Sequence, residues 1–311
     1  MKIAALLIGL CTACASAREF EPAPFEPALL QTLITHGDLD EISGMAASRR
    51  SDDLYWVHND APRPARIDAI DGKGQWRGRI LLEGVRAVDW EAIASYRLDG
   101  KAWLLIGDIG DNAGTRRDYE LIAIEEPLLT DKGATPSLRP AWRLRFRYAD
   151  GAHDVEAMAV DAAAREVVLV TKHAPVRVYS LPLEASGKTV AVARERLRLD
   201  FLPQPSAKER QARFPAARLG GSPTALDIDS DNRRAVLLTY RDVWVFQRSE
   251  GETWWQALAR QPQHLDLPPM VQAEAIAFDR HGRGVFVSGE RLPAPLLRYE
   301  PVGGAGIEDG E

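Results

Sequence analysis

The chain has 311 residues, 45% hydrophobic and 27% charged, with 39 Lys+Arg against 45 Asp+Glu and a net charge of -6. That is ordinary globular composition, enough for one large domain or two smaller ones, and its basic runs are too short to suit a nucleic-acid partner. Both cysteines, Cys11 and Cys14, lie near the N-terminus, so the domain that follows has no disulfide, no thiolate nucleophile and no cysteine metal site.

Residues 1–17 read as a secretory signal: Lys2, an apolar run from Ile3 to Leu10, and an A-x-A site at Ala15-Ser16-Ala17. An exported protein, periplasmic or secreted, is the expectation, with lipid anchoring at Cys14 as the alternative. The apolar run is too short to span a bilayer, and no later stretch is long enough either. Residues 18–28 carry three prolines and read as an extended leader. Leu29 to Ile34 then reads as a strand.

From there one phrase recurs five times: EISGMAAS from Glu41, DWEAIASY from Asp89, DVEAMAVD from Asp154, SPTALDID from Ser222 and QAEAIAFD from Gln272. Aligned on Ser43, Glu91, Glu156, Thr224 and Glu274, the steps are 48, 65, 68 and 50 residues. Strand-like units recurring at about 40–50 residues are the signature of a β-propeller. After each phrase come a polar turn, a second apolar run (Leu54–Val57, Trp103–Ile106, Val167–Val170, Ala235–Leu238, Val285–Val287) and a third. A fourth, alternating and more polar run follows in all but the last unit, as in Trp142-Arg143-Leu144-Arg145-Phe146.

The predicted fold is therefore all-β: one propeller over 29–300, built of four-stranded blades. Five blades are favoured, with six the alternative. The wide steps leave room for a degenerate blade within 185–221, but the prolines and glycines there favour an extended loop. The last unit ends near Tyr299 without a fourth strand, and Leu29–Ile34 supplies it, closing the ring and removing an exposed sheet edge. Residues 301–311 read as a disordered tail. A closed ring of this kind is expected to be a monomer.

The first and third residues of each phrase share a face if the strand keeps a period of two. They are Glu41, Asp89, Asp154, Ser222 and Gln272, then Ser43, Glu91, Glu156, Thr224 and Glu274, of which six are carboxylates. The second strand runs back antiparallel, so its end lies beside them. Those ends bring Asn59, Asp60, Tyr240, Arg241 and Glu290 to the same mouth of the central channel. Crowded carboxylates either stay protonated or are compensated by a cation, and an all-oxygen donor set suits Ca²⁺. The expected ligands are Asp89, Glu91, Asp108, Asp154 and Glu156, with Asp111 and Asn112 completing the shell. The competing reading has these acids tie blades together by accepting backbone N–H bonds. His58 and His173 are candidates for moving a proton, and Lys172 for binding an anion or oxyanion.

The phrases EISGMAAS, HND, DWEAIA, GDIGDN, DVEAMAVD, LVTK and EAIAFD together resemble a group of exported bacterial propellers of mostly unknown function. That group is distantly similar to calcium-dependent phytases and gluconolactonase-like propellers. The resemblance covers about residues 38–300 and implies Ca²⁺ at an acidic channel mouth, with Glu41, Asp89, Glu91, Asp108, Asp154 and Glu156 at the matching acidic positions. Those relatives have six blades, one more than the phrases here. The functional expectation is a metal-dependent hydrolase of a small ester, lactone or phosphoester. The alternative is a non-catalytic propeller of the cell envelope that binds a small molecule or a protein, with a structural ion or none.

Overall fold

The structure is a computed structural model that describes residues 25–61, 64–129, 136–184 and 189–303. The expected signal over 1–17, Cys14, and most of the leader and tail lie outside these residues. The described chain is nearly all strand, and among its residues no helix is long and apolar enough to cross a membrane.

The strands group into five antiparallel units of four in the manner of a β-propeller; a parallel pairing of Trp142–Tyr148 with Ala191–Arg198 joins two units into one eight-stranded sheet, and Ser137–Leu138 adds a parallel fifth strand to the first unit. The first is Ile42–Ala47, Leu54–Asn59, Arg66–Asp71 and Trp76–Leu82. The second is Trp90–Leu98, Lys101–Asp108, Tyr119–Glu125 and Trp142–Tyr148. The third is Val155–Asp161, Glu166–Thr171, Arg177–Pro182 and Ala191–Arg198. The fourth is Pro223–Ile228, Arg234–Thr239, Asp242–Gln247 and Gln263–Asp266. The fifth is Ala273–Phe278, Val285–Gly289 and Ala294–Tyr299, completed by Leu29–Ile34 from the other end of the chain. Within 185–221 the described residues contain the third blade's outer strand, a turn of 3-10 helix at Glu209–Gln211 and a short helix at Pro215–Leu219.

Each repeated phrase is an innermost strand, and the innermost strands touch one another in a closed cycle: first to second, on to fifth, and back to first. The core follows the same cycle. Each of five buried clusters draws its residues from two neighbouring blades. Trp56 and Ile67 pack on Trp90 and Ile106, for example, and Ile34 and Met45 join Ala275 and Phe286. No blade can bury its faces alone, so ring closure carries the stability of every interface.

Closure also explains why small residues fill the fourth position of the phrase. At Gly44 a Cβ would come within 2.4 Å of His58 Nε2 and 3.1 Å of Ile93 N on the next blade. Phe25 adds a last contact: it forms an antiparallel bridge with Pro301 and is buried between the fourth and fifth blades.

The closing strand makes a direct test of this account. Ile34 is fully buried whereas Leu30 on the same strand is 60% exposed. Ile34→Ala should lower unfolding free energy by about 2–5 kcal/mol, and Leu30→Ala by no more than about 0.5 kcal/mol, in urea titrations. Equal effects would mean that the strand does not close the ring as described.

Candidate functional site at the channel mouth

The five innermost strands share an irregularity that the repeat alone does not reveal. Each slips register by one residue against its partner, between Ile42 and Gly44, Trp90 and Ala92, Val155 and Ala157, Pro223 and Ala225, and Ala273 and Ala275. The residue left over in each is Ser43, Glu91, Glu156, Thr224 or Glu274. A bulge takes one residue out of the ladder and re-aims its side chain. The strict period of two expected from the sequence therefore breaks at the third position of the phrase. All five bulged residues are buried. Ser43 Oγ donates to Glu91 Oε2 at 2.7 Å, Thr224 Oγ1 to the Ala273 carbonyl at 2.7 Å, and Tyr240 Oη to Glu274 Oε1 at 2.9 Å.

Above this ring lies a cavity of about 400 Å³. Asp60, Glu91, Glu156, Glu274 and Glu290 line it, with Asn112, Lys172, Tyr240 and Gln272. Asp60, Asp89 and Glu91 each place a carboxylate oxygen within 4.8 Å of the others. Gly110 of the GDIGDN segment permits this approach, since a Cβ there would meet Asp89 Oδ2 at 2.6 Å and Glu91 Oε1 at 2.7 Å. The Asp89 carbonyl accepts from the N–H groups of Ile109 and Gly110, which fixes that loop against the acids.

The crowding shows in the acidities. Burial pushes Asp60 up to about 7, helped by a hydrogen bond and like charge from Asp89. Burial, then Glu156 and Asp60, raise Glu91 well above the usual carboxylate range. Asp89 is raised as well, again mainly by burial. On the far side of the cavity, burial and the charge of Glu274 push Glu290 up to about 8.

The remaining residues singled out from sequence fall into distinct settings. Asp108 accepts from Val88 N at 3.0 Å and pairs with Arg116 at 2.6 Å. Asp111 accepts from the N–H groups of Thr115 and Arg116 and from Tyr119 Oη, while its own N–H donates to Asp154 Oδ1 at 2.8 Å. These are contacts that build the 108–119 loop and tie the second blade to the third. Burial works upward on Asp154, but His173 at 3.5 Å, the Lys172 charge and the Asp111 N–H together pull it below its ordinary value. Lys172 is bonded to Glu156 and lies 3.8 Å from Asp154. Burial alone would lower its pKa, yet these two acids raise it, so it is a firmly charged ammonium.

His173 is 58% exposed and sits 3.5 Å from Asp154, outside the cavity lining. His58 is fully buried, with Nδ1 3.0 Å from the Asn59 carbonyl and its ring edge-on to Trp90. Burial lowers its pKa to about 4. It is thus a neutral packing residue between blades rather than a group facing the cavity. Asn59 donates to the Asp38 carbonyl and to Asp40, Arg241 pairs with Glu209, and Glu41 is exposed with its carbonyl accepting from Asp60 N. Arg213 and Arg218, which the sequence reading did not place here, also line the cavity, with Arg291 from the end of a second strand. The first two lie in the 199–222 connection, where no repeated pattern marks them.

No family model and no curated protein matches the chain. Solved structures with similar chain traces include a gluconolactonase of Xanthomonas campestris, at 14% identity and a TM-score of 0.43, covering 84% of this chain and 72% of that one. U3-55K gives 12% identity and a TM-score of 0.39 over 83% and 67%, and hydrazine synthase of Kuenenia stuttgartiensis 11% and 0.42 over 83% of each chain. At these values the likeness carries no argument about activity.

The pairing of Lys172 with Glu156 can be tested apart from any ligand. Lys172→Met should destabilise the protein by about 3–5 kcal/mol in urea unfolding, because it leaves a buried carboxylate without its partner. Lys172→Met combined with Glu156→Gln should recover part of that loss. A double variant no better than the single would show that the two groups are not coupled.

Proposed function

We propose that the acidic mouth holds Ca²⁺ and that the protein is a metal-dependent hydrolase of a small ester, lactone or phosphoester. The observation that carries this reading is the Asp60–Asp89–Glu91 cluster, together with Asp60 Oδ1, which is buried and has no hydrogen-bond partner. Three carboxylates at one point and an unsatisfied oxygen among them fit a hard cation with oxygen ligands. Asp60 replaces Asp108 and Asp111 in the ligand set, since Arg116 and backbone donors already occupy those two. When bound there, the ion supplies Lewis acidity toward a substrate oxygen and toward water.

The chain's own groups do the rest. Glu91 is oriented by the Ser43 hydroxyl, and beside it Lys172 is bonded to Glu156, its charge working against the burial that raises the Glu156 carboxyl well above the usual range. Glu290 takes the proton-moving role first considered for His58 and His173. It lines the cavity, and a pKa of about 8 lets it hold or release a proton near neutrality. Export to the periplasm or medium belongs to the same proposal and rests on the N-terminal segment alone.

Thermal unfolding tests the cation. A ligand that binds only the folded state raises the melting temperature by mass action. Ca²⁺ added after EDTA should raise it, and Asp60→Asn or Glu91→Gln should remove most of the rise. Stabilisation without turnover on any ester, lactone or phosphoester would assign the mouth to ligand binding. No response to Ca²⁺, Mg²⁺ or Mn²⁺ would remove the metal from the account.

The raised carboxyls also predict the pH dependence of the metal-free protein. Asp60 and Glu290 bind protons more tightly folded than unfolded, with pKa values of about 7 and 8 against 3.8 and 4.5. Their stabilising contribution is complete below the unfolded values and is lost as pH rises through the folded ones. In EDTA the melting temperature should therefore fall between about pH 5 and pH 8, and Ca²⁺ should flatten the fall. Asp227, raised to about 7 by burial, adds a share that Ca²⁺ does not affect. A melting temperature that rises over this interval would contradict the assignment.

A further inference from the structure

The connection between the third and fourth blades, residues 199–222, reaches the acidic mouth: Arg213, Pro215, Arg218 and Leu219 line the cavity beside Asp60, Glu91 and Glu290. The segment is held at both ends. Glu209 pairs with Arg241 of the fourth blade at 2.7 Å, and Ser206 also donates to Glu209. Gly220 lies so close to Arg241 that a Cβ would meet its Nη2 at 2.5 Å, and a Cβ at Gly221 would meet the Pro203 carbonyl oxygen at 2.1 Å. Between these anchors stand Arg213 and Arg218. Both are exposed, and among the described residues neither side chain makes a hydrogen bond or an ion pair, although five carboxylates line the same cavity.

Lys172 gives the contrast, because Glu156 and Asp154 already neutralise it. Here opposite charges share a cavity of about 400 Å³ without pairing. That arrangement matches a ligand with an anionic group for the arginines. An anion alone would be repelled by the acid floor, but a cation held by Asp60, Asp89 and Glu91 offsets that repulsion. Guanidinium groups present a planar fork of donors that suits carboxylate and phosphate oxygens. Phe214, 69% exposed beside Arg213, adds an apolar face to the same segment.

We propose that Arg213 and Arg218 determine specificity at this mouth by holding a carboxylate or phosphate group of the ligand. The inference rests on the reading of the mouth as a cation site, and it selects the anionic members of the substrate classes named above.

The test is calorimetric titration of the full-length protein with phenyl phosphate, benzoate and, as the neutral counterpart, phenol, each in Ca²⁺ and in EDTA. The wild type should bind phenyl phosphate or benzoate in Ca²⁺, and the stronger of the two identifies the anionic group. Arg213→Ala with Arg218→Ala should weaken that binding by about tenfold or more, as expected for the loss of charge-assisted forks. Lysine at both positions should give an intermediate affinity, and phenol should show no dependence on either arginine. The Ca²⁺ shift in melting temperature should persist in the alanine variant, which also shows that it is folded. Failure of both anions to bind the wild type, or equal binding by the alanine variant, would overturn the proposal. If Ca²⁺ leaves the melting temperature unmoved in every variant, the cation reading fails by itself. The arginines are then judged by the EDTA titrations: weaker anion binding in the alanine variant upholds their role, and no difference ends it.

Discussion

Five strands must crowd around one axis, and this constraint organises the rest of the molecule. Backbones that approach so closely exclude large side chains at the fourth position of each phrase, which is Gly44, Ala92, Ala157, Ala225 and Ala275. One residue earlier the ladder relieves the crowding with a bulge, repeated in all five innermost strands. The bulge is also what presents Ser43, Glu91, Glu156, Thr224 and Glu274 as a ring. Packing and site are thus two results of the same steric condition, and neither can change without the other.

The mouth above that ring concentrates like charge where solvent cannot fully screen it. Inside a protein the effective dielectric is lower than in water, so neighbouring carboxylates raise one another's affinity for protons. The molecule answers in three ways. Lys172 neutralises Glu156 directly. Asp60 beside Asp89, and Glu290 beside Glu274, hold protons more tightly, with pKa values pushed up to about 7 and about 8. The Asp60–Asp89–Glu91 corner keeps an unsatisfied oxygen, the feature on which the proposed cation site rests. These responses divide the mouth into a structural side near Lys172 and an open side near Asp60.

Much of this was legible from the repeat. The aligned phrases placed four strands in each unit and put the N-terminal strand beside Ala294–Tyr299, where it pairs. They also gathered Asp60, Glu91, Glu156, Tyr240, Glu274 and Glu290 at one end of the ring, where they line one cavity. The division of labour among them was not legible. GDIGDN reads as a string of ligands, yet Arg116 and the turn at Thr115 engage Asp108 and Asp111, contacts that spacing does not encode. His58 ends a strand and looks exposed in sequence, but the next blade covers it.

The sequence by itself determined the architecture, because hydrophobic alternation and a repeated phrase act locally and each unit must stack on a like neighbour. Which acids keep a free oxygen, which are paired, and which arginines reach the mouth were decided only by tertiary structure. Those properties depend on distances between groups 29 to 153 residues apart in sequence, among Asp60, Asp89, Glu156 and Arg213. They depend equally on burial, which sets the strength of every charge interaction and is a property of the closed ring rather than of any one segment.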